Sequence, residues 1–386
     1  MRSLRLSDRL IRSARDLLAC TDPLEAEEWA SGWLGQVWLT APLGDKDAES
    51  TFCVEVAARC CTHPSPQGLA ALAALRRVAP PSEHALLDET IAILRETQPA
   101  PSWLDAAFSP VRAMRAIDVY DSERVLFVEY GSHTLLARIL TSGGPSLQRL
   151  ALLNGGAEEA WEQAREAVDV PMPIEETTVA EALGEIADML RHTDMLWPRN
   201  DDEGFVALRV LAWTRSRAYL PDWPEFEALA GSQRQELVEA FVERTTDSEA
   251  YRRLADIFLD YGDGYLGNRP LGWSPDAVEL FLTDWLPRKA FLDEDERAAL
   301  PDALRSWLRF ALERRGVADE WIVPVIGEVD AWLPEFEDAL DDEAAWGPAK
   351  QIAAELEARN IDIRDKDAVN TVVRQLNAEN LARRLL

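Results

Sequence analysis

Lysine is nearly missing from this sequence. Lys46, Lys289, Lys350 and Lys366 are the whole set, so almost all positive charge is arginine. With abundant Ala, Leu, Asp and Glu, that usage suggests a GC-rich bacterial genome or, alternatively, a salt-adapted organism. Histidine is as scarce, at His63, His84, His133 and His192, and no HExxH pair exists, so the helical zinc-hydrolase pattern has no support. The cysteines, Cys20, Cys53, Cys60 and Cys61, are too clustered to staple the whole chain, and a reducing cytoplasm fits them best. Paired CxxC spacings are lacking, so the cysteines are read as small buried apolar residues and no metal site is expected.

Other absences narrow the chemistry further. No apolar run approaches the roughly 20 residues that span a bilayer, and no signal-peptide pattern precedes the first helical stretch. A cytoplasmic protein without integral membrane association is expected. GxxxxGK[ST] and GxSxG do not occur, and the glycines at 262, 264 and 267 do not follow a predicted strand as a dinucleotide fingerprint requires. The same stretch fails as a calcium loop: Gly264 at the sixth position would put Leu259 first and Pro270 twelfth, where carboxylates are needed. No catalytic motif stands out, and no cofactor is expected.

What is present is a chain of 386 residues, 47% hydrophobic, long enough for two lobes because single cores stop growing at roughly 250–300 residues. Its 69 acidic against 40 basic residues give a formal charge of -29, which argues against nucleic-acid binding.

Helical spacing of apolar residues runs through segments near 3–19, 23–39, 48–61, 67–79, 82–97 and 102–115, with breaks such as Pro64-Ser65-Pro66 and Pro80-Pro81. Ala116 to Tyr120, Arg124 to Tyr130 and Thr134 to Thr141 then read as strands, with Gly131-Ser132 at a tight hairpin turn. Leu147 to Leu153 fits a strand or a helix. The expected fold is mainly α: two helical lobes of stacked antiparallel helices, with a small hairpin or three-stranded sheet near 116–141. The boundaries are 1–166, a linker at 167–178, and 179–386.

Helix starts in the second lobe are legible as capping chemistry. Thr178 with Glu181, Ser232 with Gln235, and Thr246 with Glu249 fit the capping box, and Ser274-Pro275-Asp276 fits a cap with a first-turn proline. Val278, Phe281, Leu282, Trp285 and Leu286 share one buried face. Pro287 is read as ending that helix, and Pro301 as opening the next.

Two local exceptions to the acidity supply the candidate sites. Arg2, Arg5, Arg9 and Arg12 share one face of the first helix, opposite Leu6, Leu10, Ala14 and Leu17. That arrangement fits either a surface-seeking amphipathic helix or an ordinary packed one. Further on, Arg288 and Lys289 stand beside Trp285 and Phe291, after a loop containing Tyr261, Asp263 and Tyr265. Tyr, Trp and Arg supply most interface hot spots, so this stretch is a candidate partner- or anion-binding site. Its plainer alternative is a loop between helices, with Arg288 and Lys289 pairing to Asp293 or Glu294.

The stretches YGDGYLGNRPLGWSP and FLTDWLPRKAFLDEDERAALPDALRSWLRF resemble a group of uncharacterised actinobacterial proteins. That resemblance implies a GC-rich bacterial, cytoplasmic setting and brings no activity or site residue with it. Three functional readings follow. The first is a non-catalytic protein-binding or scaffold protein; the others are an enzyme assembled from scattered Asp, Glu, Arg and Tyr, and a polyanion mimic. The oligomeric state is left open.

Overall fold

Proline and hydroxyl or carboxylate caps set many of the helix starts in the computed structural model of the chain. The structure describes residues 5–106, 108–165, 170–223, 228–245, 248–341, 346–359, 361–362 and 364–384. The chain divides into two compact units, one of residues 1–118, 123–140 and 145–225, the other of 119–122, 141–144 and 226–386. No described helix is long and apolar enough to cross a membrane.

The first unit opens with α1 (Leu6–Ser13), α2 (Pro23–Thr40), α3 (Ala48–Thr62), α4 (Pro66–Val78) and α5 (His84–Arg95). Asp22 and Ser65 accept from the backbone N–H groups of Leu24 and Gly68, and a proline follows each cap, so α2 and α4 start where their sequences dictate. Leu69 to Leu75 are all buried, which makes α4 the central helix. Leu10, Ala14 and Leu17 of the first helical stretch join the same core. Those three residues are therefore packed inside the unit as in an ordinary core helix, whereas Leu6 on the same side of α1 is exposed.

A five-stranded antiparallel sheet follows: β1 (Arg112–Ile117), β2 (Glu123–Glu129), β3 (His133–Leu140), β4 (Ser146–Asn154) and β5 (Ile174–Thr177), in the order β4-β3-β2-β1-β5. Alternation gives it two buried faces. Leu126 and Val128 pack with α7 (Val179–Thr193) and α8 (Glu203–Ser216), while Val125 and Phe127 pack with α6 (Ala157–Ala164) around Trp161. The β2–β3 turn is Gly131-Ser132, with Gly131 at φ +86 and Tyr130 N–H donating to the His133 carbonyl at 2.8 Å. Glycine suits the positive φ that such a tight hairpin needs.

The sheet is larger than expected. Arg112 to Ile117 is a strand rather than the end of a helix over 102–115; a short apolar run does not by itself separate the two. Leu147 to Leu153 is strand. The expected linker at 167–178 contains β5, which pairs with β1 from Ala116↔Ile174 to Ala113↔Thr177, so the units do not part there; residues 167–169 lie outside the described set. The capping box of Thr178 and Glu181 forms as read, and α7 and α8 belong to the first unit.

α2 and α8 approach closely at small residues. Ser31 Oγ accepts from the Leu211 N–H at 3.1 Å, and a Cβ on Gly35 would stand 1.8 Å from the Val206 carbonyl oxygen.

The second unit holds α9 (Gly231–Val242), α10 (Glu249–Gly264), α11 (Pro275–Leu280), α12 (Leu286–Lys289), α13 (Glu294–Arg314), α14 (Asp319–Asp341), α15 (Pro348–Ala358) and α16 (Lys366–Arg384). Phe258, Tyr261, Trp273, Phe281 and Trp307 interlock at its centre. Pro287 does not end its helix. It has no N–H to give, and the backbone widens into a π turn at Phe281–Trp285 before continuing as α12. Nor does Pro301 open α13, because the reciprocal capping box of Asp293 and Glu296 starts it earlier. α9 begins at Gly231 without a side-chain cap, and Ser248 caps α10; Thr246 lies outside the described residues.

Candidate functional site

Glu27 shares the face of α2 that carries Leu24, Ser31 and Leu34, so helical spacing forces a carboxylate inward. Two arginines meet it, each from the last turn of its helix, where a cation suits the helix dipole. Arg77 of α4 donates to Glu27 Oε1 through Nε at 3.1 Å and Nη2 at 2.6 Å, and through Nη1 to the Ala106 carbonyl at 2.6 Å. Arg215 of α8 donates to Glu27 Oε2 at 2.8 Å and to His133 Nε2 at 2.9 Å. Its guanidinium lies 4.1 Å from the centre of the Tyr130 ring. Tyr130 and His133, either side of the hairpin turn, stack with ring centres 5.4 Å apart.

This cluster lies along a half-open cavity of about 560 Å³, whose lining includes Arg76, Arg77, Arg95, Arg215, Tyr130 and Tyr219. Four arginines face three acids there, Glu27, Asp88 and Asp105, in a chain whose formal charge is -29. Arg76 Nε donates to Asp88 at 2.7 Å, whereas Arg95 has no ion pair among the described residues. Tyr130 is 6% exposed, and its hydroxyl has no hydrogen-bond partner among them. Arg215 lies beside that hydroxyl, and an acceptor for its proton would relieve the cost of burying it.

Burial, with Arg215 alongside, brings the His133 imidazole down to about 4, and burial pushes the Tyr130 phenol up to about 12. Both are neutral near pH 7. Because a guanidinium only donates, His133 Nε2 accepts; Nδ1 carries the proton, 3.3 Å from Ser132 Oγ. The unfolded imidazole takes up its proton near pH 6.5 and the folded one only near 4. Stability is therefore full above about pH 6.5 and falls as the pH drops towards 4, by up to about 3 kcal/mol. Denaturation across that range should show a wild-type loss that His133→Gln largely removes; parallel curves for the two proteins would refute the assignment.

The other sequence-derived candidates fall elsewhere. Arg9 and Arg12 are exposed on α1 and Arg5 is exposed just before it, while Arg2 lies outside the described residues. Tyr261 is fully buried and donates to the Ala277 carbonyl at 3.0 Å, so it is core rather than binding surface. Tyr265 and Trp285, half-buried, pack against its ring. Asp263 accepts from the Leu229 N–H at 3.1 Å. Arg288 pairs with Asp284 at 2.7 Å rather than with Asp293 or Glu294, and Lys289 is exposed. The cation beside Phe291 is Lys350, 5.4 Å from its ring centre and 4.9 Å from that of Trp346; its Nζ donates to the Pro287 carbonyl at 2.7 Å.

Cys53 and Cys60 are buried, and burial pushes both thiols up to about 12. Cys61 is exposed, and among the described residues no group of His, Cys, Asp and Glu is placed to hold a metal ion. Sequence reasoning missed Glu27, Arg77, Arg95, Tyr130, His133 and Arg215. Only Glu27 carried a readable signal, as an acid on an apolar helix face. No protein-family model, curated protein or solved structure matches the chain.

Proposed function

We propose that this is a non-catalytic binding protein whose first unit receives an acidic group of a protein partner, a side-chain or terminal carboxylate, in the cavity beside Arg95 and Tyr130. The observation that carries this reading is the surplus of guanidinium groups there, together with an unpartnered buried hydroxyl, in a strongly acidic chain. Guanidinium forks match carboxylates, and a volume of about 560 Å³ lies in the range of ligand sites. Acid–base catalysis draws less support. A working acid or base titrates near the operating pH, whereas His133 and Tyr130 titrate near 4 and 12.

The test is fluorescence anisotropy with a labelled short glutamate peptide, using a lysine peptide as control and succinate as competitor. Wild type should bind the glutamate peptide and release it to succinate. Arg95→Ala should weaken binding about tenfold, the worth of one charge-assisted hydrogen bond. Tyr130→Phe should weaken it by less. Absence of binding, or equal binding by both variants and wild type, would remove the proposal.

A further inference from the structure

Away from that cavity, positive charge gathers a second time, where α1, α3 and the start of α4 meet in the first unit. A cleft of about 460 Å³ there is lined by Arg12, Arg15, Arg59, His63, Ser65 and Gln67, with Asp8 as the acid among its lining residues. Arg59 Nε donates to Asp8 Oδ1 at 2.6 Å, and Arg59 Nη1 donates to His63 Nδ1 at 3.3 Å. With Nδ1 accepting from Arg59, His63 Nε2 is the nitrogen left to donate. Arg12 and Arg15 are exposed and have no ion pair among the described residues. Three guanidinium groups against one carboxylate leave two positive charges uncompensated, although the chain as a whole carries -29. Concave, one-signed sites focus the field on a small counter-ion.

We propose that this cleft binds a phosphate group. Guanidinium forks pair with phosphate oxygens through two parallel N–H donors, and a dianion matches the local surplus, which a single carboxylate does not. Ser65 Oγ accepts from the Gly68 N–H at 3.1 Å, which leaves its O–H to donate. The group comes from a soluble phosphorylated compound or from a lipid headgroup. A lipid would be held chiefly by its headgroup, because Leu10, Ala14 and Leu17 are committed to the core and only Leu6 and Leu18 of this stretch are exposed.

The test uses the full chain, inorganic phosphate as the soluble probe, and phosphatidylcholine vesicles with and without phosphatidic acid. Three proteins are compared: wild type, Arg12→Ala with Arg15→Ala, and Arg5→Ala with Arg9→Ala. Arg5 and Arg9 do not line the cleft, and all four arginines are exposed, so both doubles should fold. Titration calorimetry should show phosphate binding to wild type, weakened about tenfold or more in the Arg12 and Arg15 double and unchanged in the Arg5 and Arg9 double. Flotation with phosphatidic acid vesicles that is lost in the Arg12 and Arg15 double would assign the group to a lipid. Absence of both kinds of binding, or equal loss in the two doubles, would overturn the proposal, the second by showing only diffuse attraction to arginine.

Discussion

Glu27→Ala is expected to destabilise the first unit by about 3–5 kcal/mol, the usual cost of removing one partner from a buried ion pair. The side chains of Glu27, Arg77 and Arg215 are 11%, 12% and 7% exposed, so water entering from the adjoining cavity would replace the lost carboxylate only in part. Arg77 would keep the Ala106 carbonyl and Arg215 would keep His133, but neither partner carries negative charge. Urea unfolding followed by tryptophan fluorescence measures the loss; a value under about 1 kcal/mol would show that the carboxylate is not needed to compensate the arginines. Replacing all three residues by apolar ones of similar volume should recover much of the stability, because a well-packed apolar trio carries no desolvation cost.

Gly35→Ala should cost about 3 kcal/mol, the upper end of ordinary overpacking. The new Cβ would meet the Val206 carbonyl oxygen at 1.8 Å, and backbone has no rotamer through which to escape. α2 and α8 would have to separate, stretching the Ser31–Leu211 hydrogen bond with them. Gly32→Ala, three residues earlier in the same helix, should do the reverse. Nothing lies within 4 Å of its Cβ, so the helical preference of alanine should add about 0.5–1 kcal/mol. Thermal melts of the two variants should move in opposite directions, and two shifts of the same sign would contradict the packing described.

These examples show what kind of information the sequence carries. Chemistry confined to a few neighbouring residues was legible: the Gly131-Ser132 turn, the Thr178–Glu181 box, and the Ser274 cap, which accepts from the Ala277 N–H. Elements held by distant partners were not. β5 is four residues with two exposed glutamates and becomes a strand only because β1 pairs with it. The Tyr261 segment read as a loop of a candidate binding site, yet Tyr261 and Trp273 fill a core built from several helices. The arginine cluster is harder still, since Arg77 and Arg215 lie 50 and 188 residues from Glu27. In sequence each resembles an ordinary cation at a helix end.

The second unit draws on two short stretches of early chain, and this bears on how the protein can be divided. Tyr120 Oη donates to the Trp321 carbonyl at 2.8 Å, Arg269 holds Asp121 and Thr141, and Ser142 Oγ lies 3.5 Å from Ser274 Oγ. A recombinant fragment starting at residue 226 would lack those partners. A gene cut at the numerical boundary would therefore not yield the unit, and expression trials should keep the chain whole.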